Sequence, residues 1–104
     1  MKLKDKVAII TGAGRGLGRA SAIEMAKEDA SVAIISRTLS ELTETANKIK
    51  AFGGNVLSIK ADVSKGKDIL KIVDKTISAF GRISILFVSI FYLCLKSHAF
   101  YTPL

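Results

Sequence analysis

Cysteine, proline and histidine occur once each in the 104 residues, as Cys94, Pro103 and His98. A single cysteine builds neither an intrachain disulfide nor a cysteine zinc site, so a reducing, cytoplasmic setting is expected. A single histidine has no partner for a metal site or a catalytic triad, and His98 is read as a tail residue. No metal site is expected. Long apolar runs are also scarce. The longest uncharged stretch, Ile83 to Leu95, has 13 residues, whereas a membrane-spanning helix takes about 20. At the N-terminus only Val7 to Ile10 are continuously apolar before Thr11 and Gly12, short of the ~7 to 15 residues of an export signal. Neither export nor membrane insertion is expected.

Acidic residues are few, nine against sixteen Lys and Arg, for a formal charge of +7 and a pI near 9.8. That balance favours an anionic partner: a nucleotide phosphate, a nucleic acid or an acidic membrane surface. What remains is the composition of a folding chain, 49% hydrophobic and 24% charged with a mean hydropathy of +0.36. One small domain fits this length; a cofactor domain plus a separate substrate domain does not. No repeat, low-complexity tract or linker divides it.

Lys6 to Ile10 is a short apolar run rich in β-branched residues, which suits a strand buried on both faces. Beyond a glycine cluster, Leu17, Ala20, Ile23, Met25 and Ala26 recur at roughly helical spacing, predicting a helix over about 16–28. Ser31 to Ser36 predicts a second strand. Leu42, Ala46 and Ile49 predict a helix over 40–52, with Ser40 as N-cap and Gly53 and Gly54 as its stop. Asn55 to Ile59 is a third strand and Ser64 to Phe80 a third helix, with Ile69, Ile72, Val73, Ile77 and Phe80 turned inward. Arg82 to Val88 is a fourth strand. Such alternation predicts right-handed βαβ crossovers, hence an α/β, doubly wound parallel sheet of about four strands with helices on both faces.

Between the first strand and helix stands Thr11-Gly12-Ala13-Gly14-Arg15-Gly16-Leu17-Gly18. Glycines there let the backbone approach a pyrophosphate, and the free N–H groups and dipole of the helix start stabilise its charge. A glycine cluster bracketed by a strand and a helix inside a βαβ unit meets the condition for a dinucleotide site. The spacing is T-G-x-x-x-G-x-G rather than G-x-G-x-x-G, with Gly12, Gly16 and Gly18 as its glycines. Together with Ala61-Asp62-Val63 after the third strand and Phe80-Gly81-Arg82-Ile83 entering the fourth, it resembles the N-terminal half of the short-chain dehydrogenase/reductase family. More narrowly it looks like the 3-oxoacyl-carrier-protein reductase type.

The resemblance covers about residues 5–86 and implies a truncated Rossmann-type sheet of order 3-2-1-4. It divides the chain into a partial NAD(P)-binding domain, 1–88, and a divergent apolar tail, 89–104. The expected cofactor-binding residues are Gly12, Arg15, Gly16, Leu17, Gly18, Ser36, Arg37, Asp62 and Val63. NAD-selecting sites place a carboxylate at the end of the second strand, where this chain has Ser36-Arg37. Arg37 pairs with a 2′-phosphate instead, and the resemblance implies a second such contact from Arg15. NADP(H) is therefore preferred, with NAD(H) possible. In the family the residue matching Asp62 accepts a hydrogen bond from the adenine amine; a capping role for Asp62 or Ser64 is the alternative.

Where the family carries Asn-Asn-Ala-Gly, this chain has Val88-Ser89-Ile90-Phe91. The family's catalytic Ser and Tyr-x-x-x-Lys fall at positions beyond residue 104, so no catalytic residue is carried over. A literal Tyr-x-x-x-Lys at Tyr92 and Lys96 stands too near the fourth strand to be that pair. From about Ser84 the sequence reads as unrelated to a reductase, as a frameshift, an unspliced intron or a degraded gene would give. The expected function is an NADP(H)-binding fragment of a short-chain reductase, inactive alone, whose parent reaction is hydride transfer to a carbonyl or from an alcohol. The alternatives are an oxidoreductase completed by a partner chain, and a basic nucleic-acid or anion-binding module. The dispersal of the lysines, from Lys2 and Lys48 to Lys75, speaks against nucleic acid. Self-association is expected through the exposed edge of the fourth strand.

Overall fold

The computed structural model describes residues 3–87. They form β1 (Val7–Thr11), α1 (Gly16–Lys27), β2 (Ser31–Ser36), α2 (Leu39–Lys50), β3 (Asn55–Lys60), α3 (Gly66–Phe80) and β4 (Ile85–Phe87). The strands make one parallel sheet in the order β3-β2-β1-β4, as expected. Thr11 pairs with Ile35 and Ile35 with Ile59. The C-terminal ends of three strands therefore stand in one row, and the loops leaving them converge.

Alternation along the strands sorts the side chains into two cores. Ala8, Ile10, Val32 and Ile34 meet Ala22 and Ala26 of α1 and Leu42, Ala46 and Ile49 of α2. On the other face Ile9, Ala33, Ile35 and Ile59 meet Ile72 of α3. Cover on both faces explains why β1 and β2 read as unbroken apolar runs. Ile10, Ile34 and Ile35 are at most 1% exposed, and each such burial stabilises by roughly 1.5–3 kcal/mol.

The helix ends follow local chemistry. After α1, Asp29 takes the left-handed conformation at φ 72°. Its N–H donates to the Ala26 carbonyl, and that of Ala30 donates to the Met25 carbonyl. This is the Schellman closure, with aspartate where glycine is usual. The N–H groups of Gly53 and Gly54 close α2 in the same way, onto the carbonyls of Lys50 and Ile49.

Several expectations are corrected. The N-cap of α2 is Thr38, not Ser40. The chain is still extended at Thr38, where the backbone N–H donates to Ser36 Oγ, and helical winding starts at Leu39. Leu17 is 47% exposed and Ala20 is also exposed; the face α1 buries is the small-residue row Gly18, Ala22 and Ala26. Close approach of α1 to the sheet leaves no space on that face for a leucine. Ile69 and Ile77 lie outside the core, 46% and 47% exposed, because α3 turns Ile72 and Thr76 toward the sheet. Thr76 is tolerated there because its hydroxyl donates to the Ile72 carbonyl within the helix.

β4 starts three residues later than expected. Ser84 first exchanges hydrogen bonds with Val7, its Oγ accepting from the Val7 N–H and its own N–H donating to the Val7 carbonyl. Only Ile85–Phe87 then pair with Ala8–Ile10. Val88, the 89–104 tail, Tyr92, Cys94, Lys96 and His98 lie outside the described residues. Among the described residues no helix is long and apolar enough to cross a membrane, and no group of His, Cys, Asp and Glu is placed to hold a metal ion.

Candidate functional site: the cleft at the strand ends

A cleft of about 240 Å³ opens at the C-terminal ends of β1, β2 and β3. It is lined by Thr11, Gly12, Gly14 and Arg15 from the first turn, by Ile35, Ser36, Arg37, Thr38 and Glu41 around the end of β2, and by Ala61, Asp62 and Val63 after β3. A wider depression of about 550 Å³, with Asp5, Asp29, Phe80 and Arg82 among its walls, lies at the opposite end of the sheet. In open parallel α/β sheets, ligands bind outside the carboxyl ends of the strands. The smaller cleft is therefore the candidate.

Six of the nine residues expected from the sequence line it: Gly12, Arg15, Ser36, Arg37, Asp62 and Val63. Gly16, Leu17 and Gly18 form the first turn of α1 beside it without lining it. Gly12 and Gly16 have φ of 64° and 61°, values glycine adopts without the penalty of a Cβ. Gly18 is buried beneath the turn, and a Cβ there would lie 2.6 Å from the Gly12 carbonyl carbon. Gly14 stands outside the three-glycine pattern, yet its own Cβ would come within 2.8 Å of Glu41 Cβ and 3.0 Å of Ser36 Oγ. Two of the glycines thus serve close approach.

At the start of α1, Arg15 is extended and no side chain caps the helix. The first-turn N–H groups and the positive end of the dipole are left for an anion. A turn that a Cβ would obstruct, an uncapped helix start and two arginines lining one cleft fit a dinucleotide phosphate. Neither Arg15 nor Arg37 forms an ion pair among the described residues.

Asp62 bends the loop after β3. Its Oδ1 accepts from Ser64 Oγ at 2.7 Å and from the Ser64 N–H at 2.9 Å, and its own N–H donates to Asp68 Oδ2 at 2.8 Å. The two Ser64 hydrogen bonds hold the Asp62 carboxyl below the usual carboxylate range, with Arg37 and Lys65 acting in the same direction. Asp62 therefore organises a turn; the N-cap of α3 is Lys65.

The support beneath the glycine turn was not read from the sequence. Thr45, fully buried on α2, donates through Oγ1 to the Ala13 carbonyl at 2.9 Å. The same oxygen accepts from Arg19 Nε at 3.0 Å. Arg19 Nη2 donates to the Gly14 carbonyl and pairs with Glu44 Oε1 at 2.6 Å. The Ala13 N–H donates to the Ile35 carbonyl. Two successive carbonyls of the turn are thus tied to α1 and α2, and one N–H to β2. The available signal was Thr45 itself, a hydroxyl on the same helical face as Leu42, Ala46 and Ile49.

The fold and the cleft define a Rossmann-type α/β protein of the NAD(P)-binding class. A family model described as short chain dehydrogenase matches residues 6–90, and the chain belongs to that family of oxidoreductases. It is 39% identical over 87 residues to the short-chain dehydrogenase/reductase homolog YusS of Bacillus subtilis, covering 83% of this chain and 80% of that protein. Among solved structures, glucose dehydrogenase of Caenorhabditis elegans in the apo form superposes with a TM-score of 0.80 at 40% identity, over 83% of this chain and 38% of the other. A metagenomic short-chain oxidoreductase in complex with NADP gives 0.78 at 31% identity, over 83% of this chain and 39% of the other. The chain spans 32% to 36% of the next three curated relatives.

Proposed function

We propose that this chain binds NADP(H) in preference to NAD(H), holding the adenosine and pyrophosphate half of the cofactor in the cleft at the strand ends. The observation that carries the reading is the pair of arginines, Arg15 and Arg37, that line the same cleft as the glycine turn, neither one ion-paired among the described residues. Gly12, Gly16, Leu17 and Gly18 present backbone N–H groups to the pyrophosphate. Arg15, Arg37 and Ser36 receive the 2′-phosphate. Asp62 and the backbone of Val63 face the adenine. When bound, the nicotinamide supplies or takes the hydride exchanged with a carbonyl or alcohol substrate. In this reading the chain by itself binds the cofactor without turnover. Residues 1–88 form the nucleotide-binding part, and the chain works in the cytoplasm. The outer edge of β4, unpaired among the described residues, favours self-association.

Titration of the chain with NADPH and NADH tests this reading. NADPH is expected to bind more tightly. Arg37→Ala is expected to weaken NADPH about 10- to 100-fold, the scale of a hydrogen bond to a charged group, and to change NADH less than about threefold. Equal losses for both would overturn the assignment of Arg37 to the 2′-phosphate. Oxidation of NADPH by the isolated chain with a carbonyl substrate would overturn the reading of inactivity.

A further inference from the structure

Four charged side chains line the cleft: Arg15, Arg37, Asp62 and Glu41. The first three have a use in the reading above, and Glu41 has none. It stands in the first turn of α2, half-buried against the glycine turn. A Cβ built on Gly14 would lie 2.7 Å from Glu41 Oε1 and 3.0 Å from Ser36 Oγ. The carboxylate therefore sits beside the end of β2, next to the position Arg37 occupies. Among the described residues it makes no hydrogen bond and no ion pair.

A carboxylate in that place has opposite effects on the two cofactors. It repels a 2′-phosphate, whereas a ribose 2′-hydroxyl donates to it. In NAD-selecting sites a carboxylate at the end of the second strand takes that donation. Here the strand end carries Arg37, and Glu41 brings the acid in from the following helix. We infer that Glu41 is a specificity-determining residue of the cleft, offsetting the arginines toward the 2′-phosphate and accepting from the ribose hydroxyl of NAD(H). The inference rests on the dinucleotide reading above. It accounts for a cleft whose lining carries as many acids as arginines on a chain of net charge +7.

An acid in the first turn of a helix also interacts favourably with the helix dipole, so a change in stability would not separate the two roles. The ratio of NADH to NADPH dissociation constants does, because any loss of folded protein cancels between the ligands. Glu41→Gln is expected to raise that ratio about tenfold in favour of NADPH, through tighter NADPH and weaker NADH binding, with the NADPH gain shrinking in high salt. Glu41→Lys is expected to raise it further. A wild-type chain that binds both nucleotides, with a ratio that neither variant moves, would overturn the inference and leave the dinucleotide reading standing. A wild-type chain that binds neither nucleotide would overturn both.

Discussion

Gly18→Ala is expected to destabilise the chain by about 3 kcal/mol, the upper part of the overpacking range, and to lower its thermal midpoint by roughly 12 to 24 °C. The added methyl would overlap the Gly12 carbonyl group, whose carbon lies 2.6 Å from the built Cβ, and would stand 3.1 Å from Ala13 Cα. These are backbone atoms at the end of β1, so no side chain can turn aside. Relief requires α1 to move off the sheet, breaking the packing of Ala22 and Ala26 on Ala8, Ile10 and Val32. Gly66→Ala is the control: it opens α3, and a Cβ there meets nothing within 4 Å. Its midpoint is expected to hold or to rise, since alanine reduces the freedom of the unfolded chain. Thermal unfolding followed by circular dichroism distinguishes the two, and equal midpoints would contradict the close approach of α1 to the turn.

Thr45→Val is the second large effect, at about 2 to 4 kcal/mol. Valine has nearly the shape of threonine, so packing in the α2 core is kept and the hydroxyl alone is removed. The buried Ala13 carbonyl then loses its donor, at a cost on the order of 1–3 kcal/mol, and the part-buried Arg19 Nε loses its acceptor, at a smaller cost. Thr45→Ser retains the hydroxyl, and its loss is expected to stay near 1 kcal/mol. Urea unfolding of the three proteins gives the comparison. Should Thr45→Val lose no more than Thr45→Ser, the hydroxyl would not be what fastens the turn.

The order of elements was legible because each signal was local. Short apolar runs rich in β-branched residues marked β1 and β2, Gly53 and Gly54 marked the end of α2, and the glycine cluster marked the β1–α1 turn. Which helix face turns inward was less legible, since it depends on distance to the sheet. Nothing in the sequence says that α1 lies close enough to bury Gly18 and Ala22 while leaving Leu17 at 47% exposure. On α3 the row Ile69, Val73, Ile77 reads as well as the row Ile72, Thr76, and hydropathy ranks them wrongly because a threonine can satisfy its hydroxyl within the helix.

The cleft divides in the same way. Residues named by motif or by the end of a strand, such as Gly12, Arg15, Arg37 and Asp62, could be placed in advance. Glu41 and Thr45 reach the turn only because α2 packs beside α1, a tertiary fact that no local pattern carries, and Arg19, on α1 itself, is held against the turn by Thr45 and Glu44 of that neighbouring helix.

The unequal cover of the two sheet faces sets an order of opening. On one face α1 and α2 interlock with β1 and β2 through eleven buried residues. On the other, α3 buries only Ile72 and Thr76 of its fifteen residues, and the Thr76 hydroxyl is already engaged within its own helix. Local unfolding begins where few apolar contacts must be broken. The backbone amides of α3 therefore exchange with solvent through a low-energy opening that leaves β1, β2 and β3 closed, while the amides of β2, central in the sheet and covered on both faces, exchange only when the whole chain unfolds. The cleft draws its lining from residues 11–63. The walls supplied by residues 11–41 thus belong to the part of the molecule that opens last and persist through fluctuations that release α3, whereas the Asp62 turn, whose N–H donates to Asp68 of α3, loosens with that helix.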